Sequence, residues 1–174
     1  MPGKVVQIFI ASEAGEPMRE VKEVRAFKGE GLQGDRYAGH RGAWSKSGRK
    51  VIRQVTLIEQ EAIDRAGGKF LASETRRNIV VRDFSLNHLV GKEFTVGQSL
   101  MRGIELCDPC HRPSKLCGKE GFEELFAGFG GLRAEILLTG TIKVGDNLMW
   151  ERLCLLCNSI KPLTHDCNML YAEA

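Results

Sequence analysis

A β-rich barrel with one or two short helices is the fold this sequence predicts. Three observations carry the expectation. A succession of short runs either alternates apolar with polar residues or is continuously β-branched. Most of the 20 glycines lie in or near the intervals between those runs. Helical spacing of apolar residues is sparse. Many short strands with few helices favour a closed or nearly closed barrel, because closure removes the unpaired edges of a sheet.

The elements follow in order. VVQIFIA (5–11) is β-branched and alternating, which reads as a first strand and not as a signal peptide. VKEVRAF (21–27) alternates and is the second. GHRGAWSKSGRK (39–50) is polar, basic and glycine-rich, so an exposed loop is expected there. VTLIE (55–59) is a strand, and IEQEAIDRAGG (58–68) places Ile58, Ala62, Ile63 and Ala66 on one helical face before a Gly-Gly stop. NIVVR (78–82), EFTVG (93–97) and IELC (104–107) are strands, with a single turn at LNHLVG (86–91). FEELFAGFG (122–130) spaces Phe122, Leu125, Phe126 and Phe129 for a second short helix. AEILLTGTI (134–142) and NLMWE (147–151) complete the strands. Beyond them the periodicity is lost, so residues 1–151 read as one domain and 152–174 as a cysteine-containing tail.

Composition narrows the function classes. The chain has 174 residues, enough for one domain with a substantial core, and a net charge of only +3. That charge is too weak to argue for nucleic acid or a membrane surface, and no apolar run reaches the roughly 20 residues that span a bilayer. A cytosolic setting is expected. The six cysteines, at 107, 110, 117, 154, 157 and 167, leave the first hundred residues without a staple. In a reducing compartment such clustering points to a local site and not to a disulfide scaffold.

ELCDPCHRPSKLC (105–117) concentrates that chemistry. Pro109 fixes φ and pushes Asp108 towards an extended conformation, so Asp108-Pro109 reads as a turn. A thiol carried by it at Cys110 would be presented at a barrel mouth. His111, Arg112 and Lys115 beside it favour the thiolate, the form that attacks electrophiles and binds soft metals. Cys107 ends a strand and reads as the buried partner. A redox-active CxxC of the thioredoxin kind needs a helix opening at the motif, and Pro113 argues against one, although a regulatory Cys107–Cys110 disulfide remains open. Zinc is a further rival, either at Cys107, Cys110 and Cys117 or in the tail at Cys154, Cys157, His165 and Cys167. An unstructured or partner-docking tail is the competing reading.

Six stretches in register resemble the MOSC domain, the C-terminal module of molybdenum cofactor sulfurases, which also occurs alone in small bacterial proteins. They are GLQGDRYAG (31–39), VTLIEQEAI (55–63), TRRNIVV (75–81), LVGKEFTVG (89–97), CDPCHRP (107–113) and GLRAEILLTGTIKVGD (131–146). The resemblance covers residues from about 5 to 150 and implies a mixed-strand β-barrel. It also implies that one cysteine of CDPC is the functional thiol, here Cys110, with His111 beside it. The cofactor implied is the molybdenum cofactor, an anionic pterin carrying a dithiolene and a phosphate. Arg76, Arg77, Asn78 and Arg112 are the candidates to hold it. Arg76-Arg77-Asn78 is read as opening a strand, which puts Arg76 and Asn78 on one side and Arg77 on the other. Asp35 and Arg36 are expected to shape the pocket rim, as a tight turn with an Asp–Arg pair. Arg133 adds charge, but alternation leaves its direction open.

Two activities follow from the resemblance. In one, the Cys110 thiolate ligates molybdenum in the reduction of N-hydroxylated compounds, with electrons from a donor protein, since the chain carries no flavin or nucleotide motif. In the other, Cys110 accepts sulfur from a cysteine desulfurase as a persulfide and passes it to a metal site. A non-enzymatic adaptor holding zinc is the reading from a different class.

Overall fold

The computed structural model describes residues 2–42 and 54–150, together with the backbone of 152–154 and 159–161. In chain order the elements are β1 (Gly3–Ile10), β2 (Arg19–Val21), β3 (Glu23–Phe27), β4 (Gly31–Leu32), β5 (Val55–Glu59), α1 (Gln60–Arg65), β6 (Ile79–Arg82), β7 (Glu93–Val96), β8 (Ser99–Leu106), α2 (Arg112–Cys117), α3 (Phe122–Leu125), β9 (Leu132–Leu138), β10 (Gly140–Lys143) and β11 (Asn147–Met149). Beyond these, Arg152–Cys154 pairs antiparallel with Ser159–Lys161.

Seven strands close on themselves in the order β1, β6, β5, β9, β8, β7, β11 and back to β1. Six of the pairings are antiparallel and one, β5 with β6, is parallel. The parallel pair dictates a crossover, because a hairpin cannot join parallel strands. α1 and a 3₁₀ turn at Ala72–Thr75 supply it. β2 lengthens the sheet at the β1 edge, and β10, β3 and β4 form a small separate sheet.

Strand alternation sorts the apolar residues into two cores. Val55 and Leu57 of β5, Ile79 and Val81 of β6, and Leu132, Ala134 and Ile136 of β9 point into the barrel and fill it with Phe94, Val96, Met101 and Leu148. Residues of the opposite parity, Ile58 and Val80, face outwards with Phe9 and meet Ala62 and Ile63 of α1 and Ala66 just after it. Phe70, Phe122 and Phe126 seal this outer core, with Phe122 and Phe126 stacked at 4.4 Å and Phe70 edge-on to both. Burial of each such ring contributes about 1.5–3 kcal/mol. Side chains of the described residues therefore fill the barrel lumen.

Several elements depart from the sequence expectation. β8 starts at Ser99, well before residue 104, because Gly103 is a point of close approach and not a break: a Cβ there would overlap the Leu89 carbonyl. The run 134–142 is two strands, β9 in the barrel and β10 in the small sheet, parting at Thr139. The run 21–27 likewise divides between β2 and β3. Among the described residues three short α-helices form, against the one or two expected. The missed one is α2, whose Pro113 sits in the first turn, where the absent N–H costs nothing. Most of the 39–50 loop lies outside the described residues, as do the side chains of the tail cysteines and His165.

Candidate functional site

The site grows from the register of the outer wall. Leu57 and Leu132 are paired and face the lumen, so the adjacent pair Thr56 and Arg133 must face outwards. Arg133 is in turn opposite Glu105 on β8 and ion-paired with it. On the other side Thr56 meets Asn78, whose amide oxygen accepts hydrogen bonds from the Thr56 backbone N–H (3.2 Å) and hydroxyl (2.9 Å). A polar row thus crosses β8, β9, β5 and the approach to β6 on the outside of the barrel near one rim.

Behind that row lies a buried ion-pair network. Asp35 is 1% exposed and Arg36 4%. Asp35 Oδ1 accepts from Arg36 (2.9 Å), from the Asn78 side chain (3.1 Å) and from the Ala11 N–H (3.2 Å), while Oδ2 accepts from the Tyr37 N–H (3.1 Å). A buried carboxylate needs that many donors to offset its desolvation. Asn78 spends its remaining N–H on the Phe9 carbonyl at 3.1 Å. Arg36 uses its second Nη to hold the Arg76 carbonyl at 3.2 Å, and its guanidinium lies over the Tyr37 ring at 4.8 Å.

That hold fixes an unusual residue. Arg76 follows the 3₁₀ turn with φ 64° and ψ 18°, the left-handed conformation that β-carbon sterics disfavour. Its guanidinium donates to the Glu16 carbonyl. Arg77, extended beyond it, donates to the Gly130 carbonyl at 2.7 Å and to the Thr75 carbonyl at 3.3 Å.

These groups converge on a cavity of about 70 Å³ lined by Arg36, Arg76, Arg77, Arg112 and Arg133, with Thr56, Tyr37, Cys107, Asp108 and Cys110. Cys107 is 2% exposed at the end of β8, its N–H bonded to the Gly131 carbonyl at 2.7 Å. Cys110 is half-buried and follows Asp108 and Pro109, which form neither the expected turn nor a bend; the first bend falls at His111. Gly130 packs against this segment so closely that a Cβ on it would overlap the Cys107 carbonyl oxygen. Beside the cavity, and sharing Arg76 and Pro113 as wall, is a cleft of about 240 Å³ bordered by Gly15, Pro17, Met18 and Leu116.

Residues 45–149, well over half of the chain, match the family model of the MOSC domain. The chain belongs to the MOSC domain family. Solved structures agree with the fold of this MOSC domain. The YuaD protein from Bacillus subtilis superposes with a TM-score of 0.71 at 18% identity, over 85% of this chain and 94% of that one. YiiM from Geobacillus stearothermophilus gives 0.64 at 14% identity, over 88% and 77% of the two chains. YiiM from Escherichia coli gives 0.62 at 16%, over 85% and 68%. Identities this low speak for the fold alone. No curated protein matches the sequence.

The electrostatics of the MOSC site are dominated by like charge. Burial, followed by the charges of Arg36 and Arg112, pushes the Arg76 guanidinium down to about 10. Arg133 behaves oppositely. Its burial would lower it, but the charge of Cys107 and the hydrogen bond and charge of Glu105 outweigh that and raise it. Arg36 and Arg133 have carboxylate partners, whereas Arg76, Arg77 and Arg112 line the cavity with positive charge that an added anion would offset.

The expected site residues are placed as follows. Arg36, Arg76, Arg77, Arg112 and Cys110 are brought together. Arg76 and Arg77 do not open a strand, which starts only at Ile79, so the expected division between opposite faces does not arise and both line one cavity. Asn78 is fully enclosed with both ends of its amide engaged, which leaves it nothing to offer a pterin. Its role is to hold Asp35. Asp35 stands behind the wall and not at the rim. His111 is exposed at the start of α2 and is not among the lining residues. The thiols follow the end of β8 and line a cavity that also takes the outward-facing Thr56 and Arg133 into its wall. Thr56 and Tyr37 were missed, and Arg133 was left unassigned. The one signal for Thr56 and Arg133 was their polar parity between apolar neighbours.

Proposed function

We propose that this MOSC protein binds the molybdenum cofactor, with the Cys110 thiolate as protein ligand to the metal, and acts in the reduction of N-hydroxylated compounds with electrons from a donor protein. What supports the reading is one arrangement: a soft thiol and five arginines around a single small cavity. The donor set fits the cofactor, which offers a thiophilic metal and anionic groups. A volume of about 70 Å³ corresponds to roughly two waters' share of liquid, so the cavity suits only the metal-bearing end. The adjoining cleft has the space for an organic body.

When bound, the cofactor would supply two-electron redox chemistry at its metal. The chain's own residues do the rest. Cys110 would hold the metal, and Arg76 and Arg112, which line the same cavity, would neutralise negative charge beside it. Arg77 is pinned to the Gly130 and Thr75 carbonyls and ties the arginine loop to the loop carrying the thiols. Asp35 and Asn78, through Arg36, keep Arg76 aimed at the cavity.

Metal retention tests the reading. Purified apoprotein is reconstituted with the isolated cofactor, desalted, and analysed by elemental mass spectrometry. Molybdenum should remain near one equivalent in the wild type and in Cys107→Ser, and fall to background in Cys110→Ser. Equal retention by Cys110→Ser overturns the assignment. A desulfurase-dependent persulfide on Cys110 without metal retention would select the sulfur-carrier reading instead.

A further inference from the structure

In the sheet order β5, β6, β1, β2, helix α1 packs on β5 and β6, so the outer face of β1 lies between α1 and the edge strand β2. A cavity of about 530 Å³ opens there. Its floor is apolar, made by Phe9, Ile63 and Phe70 of the outer core. Leu71, at 61% the most exposed large apolar side chain among the described residues, lines it as well. Polar groups enter from three elements: Gln7 from β1, Glu20 from β2, and Gln60 and Asp64 from α1.

The charge of this lining is wholly negative. Glu20 is opposite Phe9 in the β1–β2 register, which puts both on one face, and its carboxylate accepts from the Gln7 carboxamide at 3.4 Å. Asp64 accepts from the Gln60 carboxamide at 2.8 Å and lies 3.8 Å from Arg82, a loose pair with both side chains more than half exposed. No lysine or arginine is among the lining residues. Arg19, of opposite parity to Glu20, lines a separate cleft with Ile10. Arg65 lies over the Phe129 ring at 3.5 Å, the Lys69 amine sits beside Gly121, and Lys119 pairs with Glu74 at 2.6 Å. Because both carboxamides spend an N–H on a carboxylate, what the polar lining has left to offer is mainly acceptors. Its polarity is opposite to that of the arginine cavity, with which it shares no residue.

We propose that this cavity binds a small organic cation, a primary ammonium carried on an aromatic or aliphatic body. The volume is that of a small-molecule site, and an apolar floor with a few polar groups at its edge is the lining such a ligand needs. The body covers Phe9, Ile63, Phe70 and the exposed Leu71. The ammonium, with three donors and no acceptor, takes the carboxylate of Glu20 or Asp64 and a neighbouring glutamine carbonyl. A carboxylate ligand meets repulsion in the same place.

Tryptamine, a primary ammonium on an indole ring at neutral pH, is the probe. Tryptophol is its neutral counterpart and indole-3-propionate its anionic one. Heteronuclear NMR titration of the full-length protein should show tryptamine moving the amides of Gln7, Gln60, Leu71 and Ser73, with a millimolar Kd, and leaving those of Cys110 and Arg133 in place. Tryptophol should bind at least about threefold more weakly, and indole-3-propionate should leave the four amides unmoved. Glu20→Gln combined with Asp64→Asn, both at exposed positions, should weaken tryptamine about tenfold and leave tryptophol unchanged. Tryptophol binding as well as tryptamine, shifts confined to another face, or an unaltered tryptamine affinity in the double variant overturns the proposal. So does a wild type that fails to bind tryptamine at tens of millimolar. Metal retention depends on none of these residues, so this site and the cofactor reading stand or fail separately.

Discussion

Replacing Arg76 by glycine should make the anion-free protein more stable while removing its response to anions. The left-handed backbone of Arg76 carries about 1–2 kcal/mol of steric cost that glycine avoids. The drop of its pKa from the ordinary guanidinium range to about 10 corresponds at face value to about 3 kcal/mol. The group is only half-buried, and solvent screening leaves about 1–2 kcal/mol of that. Against these gains stand the hydrogen bond to Glu16, worth about 1 kcal/mol, and the extra freedom of an unfolded glycine, about 0.5–1 kcal/mol. The net is a gain of about 1 kcal/mol, or roughly 2–4 °C in Tm for a chain of this size.

Thermal unfolding followed by circular dichroism, with and without inorganic phosphate, reads both effects. A phosphate site of millimolar Kd would stabilise the wild type by about 1.4 kcal/mol at ten times Kd, and Arg76→Gly should lose most of this. Arg76→Ala keeps the backbone cost and should lie about 1 kcal/mol below the glycine variant. The pH dependence has a definite sign. A base whose pKa falls on folding penalises the folded state while protonated, so the gap between wild type and variant should persist up to about pH 10. It should narrow above that, where the folded protein alone has lost the proton. An Arg76→Gly protein that is markedly less stable than wild type, with its phosphate response intact, refutes the reasoning.

Two further outcomes can be checked. Asp35→Ala strands the Arg36 guanidinium in a buried site without its carboxylate and should cost about 3–5 kcal/mol by urea denaturation, with Arg36→Met in the same background recovering part of the loss. Burial of Glu74 would raise its pKa, but the hydrogen bonds from Lys119 and the Leu71 N–H prevail and lower it. A lowered carboxylate contributes stability above the ordinary glutamate range and loses it as the pH falls through and below that range. Lys119→Ala should therefore flatten the acid limb of the stability profile, and an unchanged limb would show that the pair does not contribute.

How much of the barrel was legible follows from the reach of each signal. Alternation is local, so VTLIE, NIVVR and EFTVG declared themselves as strands within a residue or so at either end. The helix of 58–68 shortened to Gln60–Arg65 because its first residues, Ile58 and Glu59, are drawn into β5. A single-residue cue misled twice. Pro113 reads as a breaker unless it is known to fall in a first helical turn, and Gly103 reads as a gap unless the Leu89 carbonyl pressing on it is known.

By itself the sequence determined the strand-rich class, the family resemblance and the concentration of thiols and cations in a few short stretches, all properties of neighbours along the chain. Only the tertiary structure decided what those stretches surround. Pairing of β5 with β9 carried Arg133 to Thr56, and the buried Asp35–Arg36 pair reached across some forty residues to hold Arg76. The lumen, filled by side chains of one parity, left the opposite parity to build a site on the outer wall. Parity tells which residues share a face, but which face holds the core is settled by closure of the sheet, and closure joins strands that the sequence keeps far apart.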